Sequence, residues 1–259
     1  MQKDIFQRIE EAASPDFSDI LSKSFELFKK VWEQALYHVL ITMAMVFPLI
    51  ILMYVPLLIM MNMYGGFDSY GYQSVNDYYG NNIEPSVLWI IIYSIGLFVG
   101  IFIIQALAFG LTAHFFRVCK KADTGLPVDT GSYFIFLKGE NLKKVLLLSI
   151  ATFLISLVAV ALCYLPIIYV LVPLNLFVVI FAFNEELSVS EIIKASFKLG
   201  NKYWLLVFGL LIIASIIAQV GILLCFIGMF FTAYFVHIPV YYFYKDSVGF
   251  EDEIEEINF

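Results

Sequence analysis

The chain has 259 residues, 61% of them hydrophobic and only 14% charged, with a mean hydropathy of +0.88. Soluble domains are about 45–50% apolar and about 25% charged, so a water-soluble globule is excluded and the bilayer must solvate much of the chain. The net charge of −7 sits mostly at the two ends, and no Lys/Arg stripe interleaves with exposed aromatics, which excludes a nucleic-acid binder.

The first residues, MQKDIFQRIEEAASPDF, contain no apolar h-region. No cleaved signal peptide is expected, so the first span itself targets the chain. Asp16 is a candidate N-cap. Over 16–33, Ile20, Leu21, Ser24, Phe25, Phe28, Val31 and Trp32 follow a 3-4 spacing, while Ser22, Lys23, Glu26, Lys29, Lys30 and Glu33 face away. This pattern predicts an amphipathic interface helix with its aromatics, Phe25, Phe28 and Trp32, at headgroup level.

A span needs roughly 20 apolar residues. The first is expected over 35–61 and the second over 87–113, joined by a Tyr-, Gly- and Asn-rich outer loop over 62–85. Segment 133–145 (YFIFLKGENLKKV) is a weaker amphipathic prelude to a third span over 145–164. A fourth span follows over 167–183, and Pro166 at the apex predicts a tight hairpin. Asn184, Glu185 and Glu186 leave that span, where they read as a solvated turn or as half of an acidic site with Asp123, Asp129 or Glu140.

Residues 188–204, SVSEIIKASFKLGNKYW, repeat the earlier phrase SFELFKKVW of 24–32. Ser188-x-x-Glu191 is a capping-box pattern, and Phe197, Tyr203 and Trp204 are the matching interface aromatics. Spans five (203–222) and six (225–244) meet around Gly221–Gly228. An acidic tail, 246–259, closes the chain. The expected fold is therefore an all-α integral membrane protein in a single 1–259 domain. It has six transmembrane helices arranged as three hairpins, with in-plane helices before spans 1 and 5 and a weaker one before span 3.

All 15 Lys and Arg residues fall on one side of such a six-span chain, and the opposite loop carries Asp68, Asp77 and Glu84. The positive-inside rule then places both termini in the cytoplasm of a bacterial inner membrane.

No Asp, Glu, Lys or Arg interrupts 35–61, 87–116, 145–183 or 203–244, which argues against a transporter built on buried carboxylates. The intramembrane polar residues are His38, Gln105, His114, Asn175, Gln219 and His237, expected to hydrogen-bond between helices. His38 and His114 lie near matching ends of spans one and two, where they can approach each other. Three histidines on separate spans make no metal site, so no metal, cofactor or catalytic residue is assigned. Cys119, Cys163 and Cys225 read as small buried hydrophobes. Pro48, Pro56, Pro173 and Pro239 kink spans, and Gly96-x-x-x-Gly100 with Gly110 permits close helix approach.

The phrase Ser24–Trp32, together with the Glu185–Trp204 stretch after an apolar span, resembles the six-span bacterial membrane proteins related to the membrane domain of glycerophosphoryl diester phosphodiesterases, and the YciC-like uncharacterised families. The resemblance implies fold and membrane location. It lends no hydrolase activity, because that activity belongs to a separate soluble barrel for which this chain has no room.

The functional expectation is a membrane scaffold or accessory subunit without catalytic activity. Its partners are the lipid bilayer and a protein met through the cytoplasmic helices and acidic tail. The alternatives are a carrier or flippase for a lipid or amphiphile, and a membrane enzyme using His38 and His114.

Overall fold

The structure, a computed structural model, describes residues 4–63, 87–128, 132–162, 165–221 and 227–250. Nearly all of the expected outer loop, Asp129, Cys163, Cys225 and the acidic tail beyond Phe250 lie outside the described residues. Among the described residues every regular element is helical: α1 Ile5–Glu11, α2 Phe17–Met63, α3 Val87–Asp123, a 3-10 turn Ile135–Leu137, α4 Gly139–Ala161, α5 Leu165–Phe183, α6 Val189–Lys202, α7 Trp204–Val220, α8 Ile227–Thr232, a 3-10 segment Ala233–His237, and α9 Ile238–Ser247.

Among the described residues four helices are long and apolar enough to cross a membrane: Phe17–Leu58, Leu88–Asp123, Gly139–Ala161 and Leu165–Phe183. A fifth arises if α6 and α7, bent by 92° at their junction, count as one broken span. The expectation of six spans in three hairpins is thereby corrected.

The sixth expected span shows why. From Ile227 it runs as a short α-helix, a 3-10 segment and a second α-helix that Pro239 opens, a position where the missing N–H costs nothing. Its side chains Phe235, Ile238, Val240, Tyr241, Phe243 and Tyr244 are buried in the protein. Hydropathy reads the same for a core-filling segment as for a lipid-facing one.

The in-plane helices are corrected as well. Segment 16–33 is the opening of α2, which continues through the first span as one 47-residue helix. Before α4 there is only the 3-10 turn. In the later copy α6 does turn sharply away from α7, but Ile192, Ala195 and Leu199 are fully buried against protein and not lipid.

The two copies nevertheless share their inner stripe. Ile20, Ser24 and Leu27 match Ile192, Ser196 and Leu199, and all six are at most 1% exposed. Ser24 Oγ donates to Ile20 O at 2.7 Å and Ser196 Oγ to Ile192 O at 2.8 Å, which satisfies each buried hydroxyl within its own helix. The copies part at Phe28 and Gly200. Phe28 packs edge-on to Phe235, whereas at Gly200 a Cβ would stand 3.2 Å from Pro173 Cγ. Glycine there lets α6 lie close on α5, and it weakens the helix just before the bend.

The chain divides into two compact units, Thr42–Gln105 and the remainder, Met1–Ile41 with Ala106–Phe259. In the first, Phe47, Leu52, Leu88, Ile92 and Phe98 are exposed, an apolar surface suited to hydrocarbon. Tyr93 donates its hydroxyl to Met53 O, in the turn where Pro56 loosens the helix ladder. Gly96 faces open space and Gly100 makes only ordinary contact with Leu49.

The larger unit has an aromatic core that includes Phe115, Phe116, Phe136, Phe177, Phe181 and Phe235, all essentially unexposed. Gly110 lies against Leu137, and Gly221 against the backbone of Gly228. Cys119 is fully buried, as a small hydrophobe.

Candidate functional site

Within the larger unit α2 and α3 bring His38 and His114 together. His38 is unexposed and His114 is 6% exposed. His38 Nε2 lies 2.9 Å from His114 Nδ1, and His38 Nδ1 lies 2.7 Å from Gln34 O. A carbonyl can only accept, so His38 Nδ1 carries the hydrogen. In the neutral ring Nε2 is then an acceptor, and His114 Nδ1–H donates to it. One helix carbonyl thus orders the whole relay: His114 donates to His38, which donates to Gln34.

Aromatic rings close around the pair. Tyr133 stands 5.0 Å from the His38 ring and 5.1 Å from that of His114, and its hydroxyl donates to Gln34 Oε1 at 3.1 Å. Phe115 and Tyr234 lie 5.2 Å and 5.3 Å from His38. His237 packs against Tyr234 at 5.2 Å and Phe116 at 5.9 Å. Among the described residues no three His, Cys, Asp or Glu side chains are grouped to hold a metal ion.

Asn175 and Gln219 do not join this cluster. Asn175 Nδ2 donates to Leu171 O of its own helix at 2.8 Å. Gln219 is exposed, and Gln105 belongs to the other unit. Sequence reasoning overlooked Gln34 and Tyr133. The signal for Gln34 was its position one helical turn before His38 on the same face.

A second polar region forms where α3, α4, α5 and α9 end or begin. Arg117 pairs with Glu185, donates Nε to Ala182 O at 3.1 Å and stacks 4.6 Å over Phe136. Asn141 Nδ2 donates to the other Glu185 oxygen, and Lys144 holds Leu187 O at 3.0 Å. Asn184 is 1% exposed, donating to Tyr244 Oη at 2.8 Å and accepting from Arg8 at 2.9 Å. Residues 184–185 therefore form a knot joining several elements and not a solvated turn. Asp123 is held separately by Lys245 at 2.6 Å, Tyr242 at 2.8 Å and Tyr241 at 3.0 Å. Burial, reinforced by the Asp123 charge, pushes both tyrosine phenols up and keeps them as donors.

Helix α1 is fastened to this end. Ile5 and Ile9, one turn apart, are buried. Lys198 pairs with Glu10, while Lys202 Nζ reaches Ile9 O, Glu10 O and Ala12 O at 2.7–3.0 Å. A cation at the carbonyl end of a helix complements its dipole. The Lys198 hydrogen bond and charge hold the Glu10 carboxyl below the usual range.

The interface aromatics occupy mixed positions. Phe25 and Trp32 are exposed yet touch Phe235 and Phe231 at 5.1 Å and 6.0 Å. Phe197 packs on Phe177 at 6.3 Å, Tyr203 on Phe243 at 5.8 Å, and Trp204 on Phe208 at 4.6 Å. At the α6–α7 elbow an open groove of about 660 Å³ is lined by Phe17, Asn201, Lys202, Tyr203, Trp204, Leu205 and Leu206. Trp204 Nε1 donates to Tyr169 O at 3.0 Å and Lys202 is engaged by α1, so the groove is chiefly apolar.

No protein-family model matches the chain, no curated protein matches it, and no solved structure matches it. Together with four, or up to five, membrane-length helices among the described residues in place of six, this overturns the resemblance to the glycerophosphoryl diester phosphodiesterase membrane domain and the YciC-like families. The chain is an all-α, multi-span membrane protein.

Proposed function

We propose that this protein acts as a non-catalytic scaffold or accessory subunit of a membrane assembly, with its Lys- and Arg-rich end in the cytoplasm. The observation that carries this reading is the use made of the charged side chains. Arg117 with Glu185, Lys245 with Asp123, Lys23 with Asp246 and Lys198 with Glu10 each join two separate elements. Groups of the type that perform acid–base chemistry are engaged in bracing the fold. On the outer side of α2, Glu26, Lys29, Lys30 and Glu33 are exposed, and they offer a charged face to a partner. Cross-linking in native membranes tests this: a partner coupled through Lys29 or Lys30, and lost in K29E/K30E, is expected. A protein that runs alone, with no coupled partner, removes the reading.

A second reading, a membrane enzyme using His38 and His114, is supported by their 2.9 Å contact. It requires that His114→Phe abolish turnover of a substrate while leaving the fold intact.

A further inference from the structure

The elbow between α6 and α7 lies where hydrocarbon gives way to headgroups. α7 has 17 residues and no Asp, Glu, Lys or Arg, so this length, about 26 Å of helix, suits hydrocarbon. α6 leaves it at 92° and carries exposed Glu191, Lys194, Asn201 and Lys202. A right-angle turn takes α6 across the end of the apolar helix. Tyr203 and Trp204, of the residue types that collect at the headgroup level, stand at the corner.

The groove at this corner, about 660 Å³, has its polar lining residues at one end. Asn201 and Lys202 belong to the last turn of α6, and the remaining lining side chains are aromatic or aliphatic. Its walls are held in place. Trp204 donates Nε1–H to Tyr169 O and stacks on Phe208. Gly209 admits the Phe17 ring, whose Cε2 stands 3.3 Å from where a Cβ would lie. Leu205 is 76% exposed, and the same face of α7 continues through exposed Ile212 and Ile216. From Leu205 to Ile216 the helix rises about 16 Å, close to half of a hydrocarbon core about 30 Å thick. A chain that starts at Leu205 therefore reaches the bilayer midplane beside Ile216.

The polar end suits an anion. Asn201 Oδ1 accepts the Tyr169 hydroxyl at 2.5 Å, which turns the donor end of the amide, Nδ2, away from Tyr169. Lys202 Nζ reaches the carbonyls of Ile9, Glu10 and Ala12, and the Glu10 carboxylate pairs with Lys198. A phosphate oxygen accepts a stronger bond from the same ammonium than a neutral carbonyl does. An ammonium and an amide donor at one end, with an apolar track one leaflet long below them, complement an amphiphile with a phosphate head.

We propose that the α6–α7 elbow groove binds one membrane phospholipid, its phosphate at Asn201 and Lys202 and one acyl chain along Leu205 and the exposed face of α7.

Trp204 reports on occupancy. In W32F/W89F it is the only tryptophan. Phosphatidylglycerol with brominated chains, a contact quencher, is titrated into the full chain in detergent. Quenching that saturates at one lipid per chain is expected. Quenching that only follows the lipid content of the micelle overturns the proposal, as does occupancy that falls with rising protein concentration, which makes a second copy the occupant. Leu205→Ser, at an exposed position, weakens binding about ten-fold, the scale for losing one leucine from an apolar contact. Lys202→Gln weakens it about two- to five-fold, the range for losing an exposed ion pair, and Lys202→Arg restores it. Brominated diacylglycerol, which has the chains without the phosphate, binds more weakly by the same factor as the Lys202→Gln loss. Equal affinity for diacylglycerol, or unchanged affinity in Leu205→Ser or Lys202→Gln, overturns the proposal. Native mass spectrometry of the unaltered chain with phosphatidylglycerol gives a second reading: one retained lipid, lost in Leu205→Ser, is expected, and no retained lipid overturns the site.

Discussion

Replacing His38 and His114 by phenylalanine, singly and together, separates bracing from chemistry. The aromatic neighbours of the pair, Tyr133, Phe115 and Tyr234, lie 5.0–5.3 Å from the His38 ring, so a phenyl ring of similar shape fits. His38→Phe removes the acceptor 2.9 Å from His114 Nδ1–H and the donor to Gln34 O. Stranding a buried donor costs about 1–3 kcal/mol. His114→Phe strands the His38 Nε2 acceptor and costs less, about 1–2 kcal/mol by the same reasoning. In the double variant neither group is stranded, so its cost falls below the sum by about 1–2 kcal/mol. Equilibrium unfolding in mild detergent titrated with a denaturing detergent, followed by near-ultraviolet circular dichroism, measures all four species. Additive costs, or single variants as stable as the parent, would refute the hydrogen-bond relay from His114 through His38 to Gln34.

Gly221→Ala places a Cβ 2.4–2.5 Å from Gly228 C and O and from Thr232 Oγ1. Overpacking against backbone costs about 1–3 kcal/mol, whereas Gly96→Ala, which meets nothing, leaves stability equal or up to about 1 kcal/mol higher; the same unfolding assay reads both. Ser188→Ala removes the reciprocal cap with Glu191 at the start of α6 and lowers stability by about 1 kcal/mol, with faster amide exchange expected over the first turn of α6. The carboxyl of Glu10 is held below its ordinary range by Lys198. Its contribution is therefore complete above the unfolded Glu range and is lost as pH falls through the lower folded value. Proteolysis between α1 and α2 should accelerate on acidification through that window, and Glu10→Gln should remove the pH dependence; an unchanged profile in the variant would count against the α1 anchor.

How much is legible varies by element. α4 and α5 lie close to their expected spans because each is a bounded apolar run with Pro166 in the first turn of the second helix. The Ser188–Glu191 cap is present with both of its hydrogen bonds, since it depends only on four consecutive residues. The start of α2 is misleading in sequence: Lys29, Lys30 and Trp32 mark a boundary of polarity, but the helix ladder continues across it. The inner face of that helix is also rotated from its expected position, because Leu27 is buried while Phe25 is exposed, and neighbouring stripes on one helix are equally apolar. The Glu185 knot is hidden because its partners Arg117, Asn141 and Lys144 lie 41–68 positions away, and no local pattern pairs charges across such separations.

By itself the sequence determined that this chain is helical and solvated by a bilayer, because no soluble core can cover so much apolar surface, and backbone in hydrocarbon must satisfy its own hydrogen bonds. Tertiary structure alone decided which apolar segments face lipid and which face protein. Residues 145–161 and 227–244 read alike as greasy runs, yet Leu154, Leu157 and Val158 are exposed while Phe235, Tyr241 and Phe243 are buried. The physical reason is that lipid tails are as apolar as a leucine-rich core. Transfer from water favours both destinations about equally, and only the packing of aromatic rings and the long-range ties of Asp123, Glu185 and Arg8 select between them.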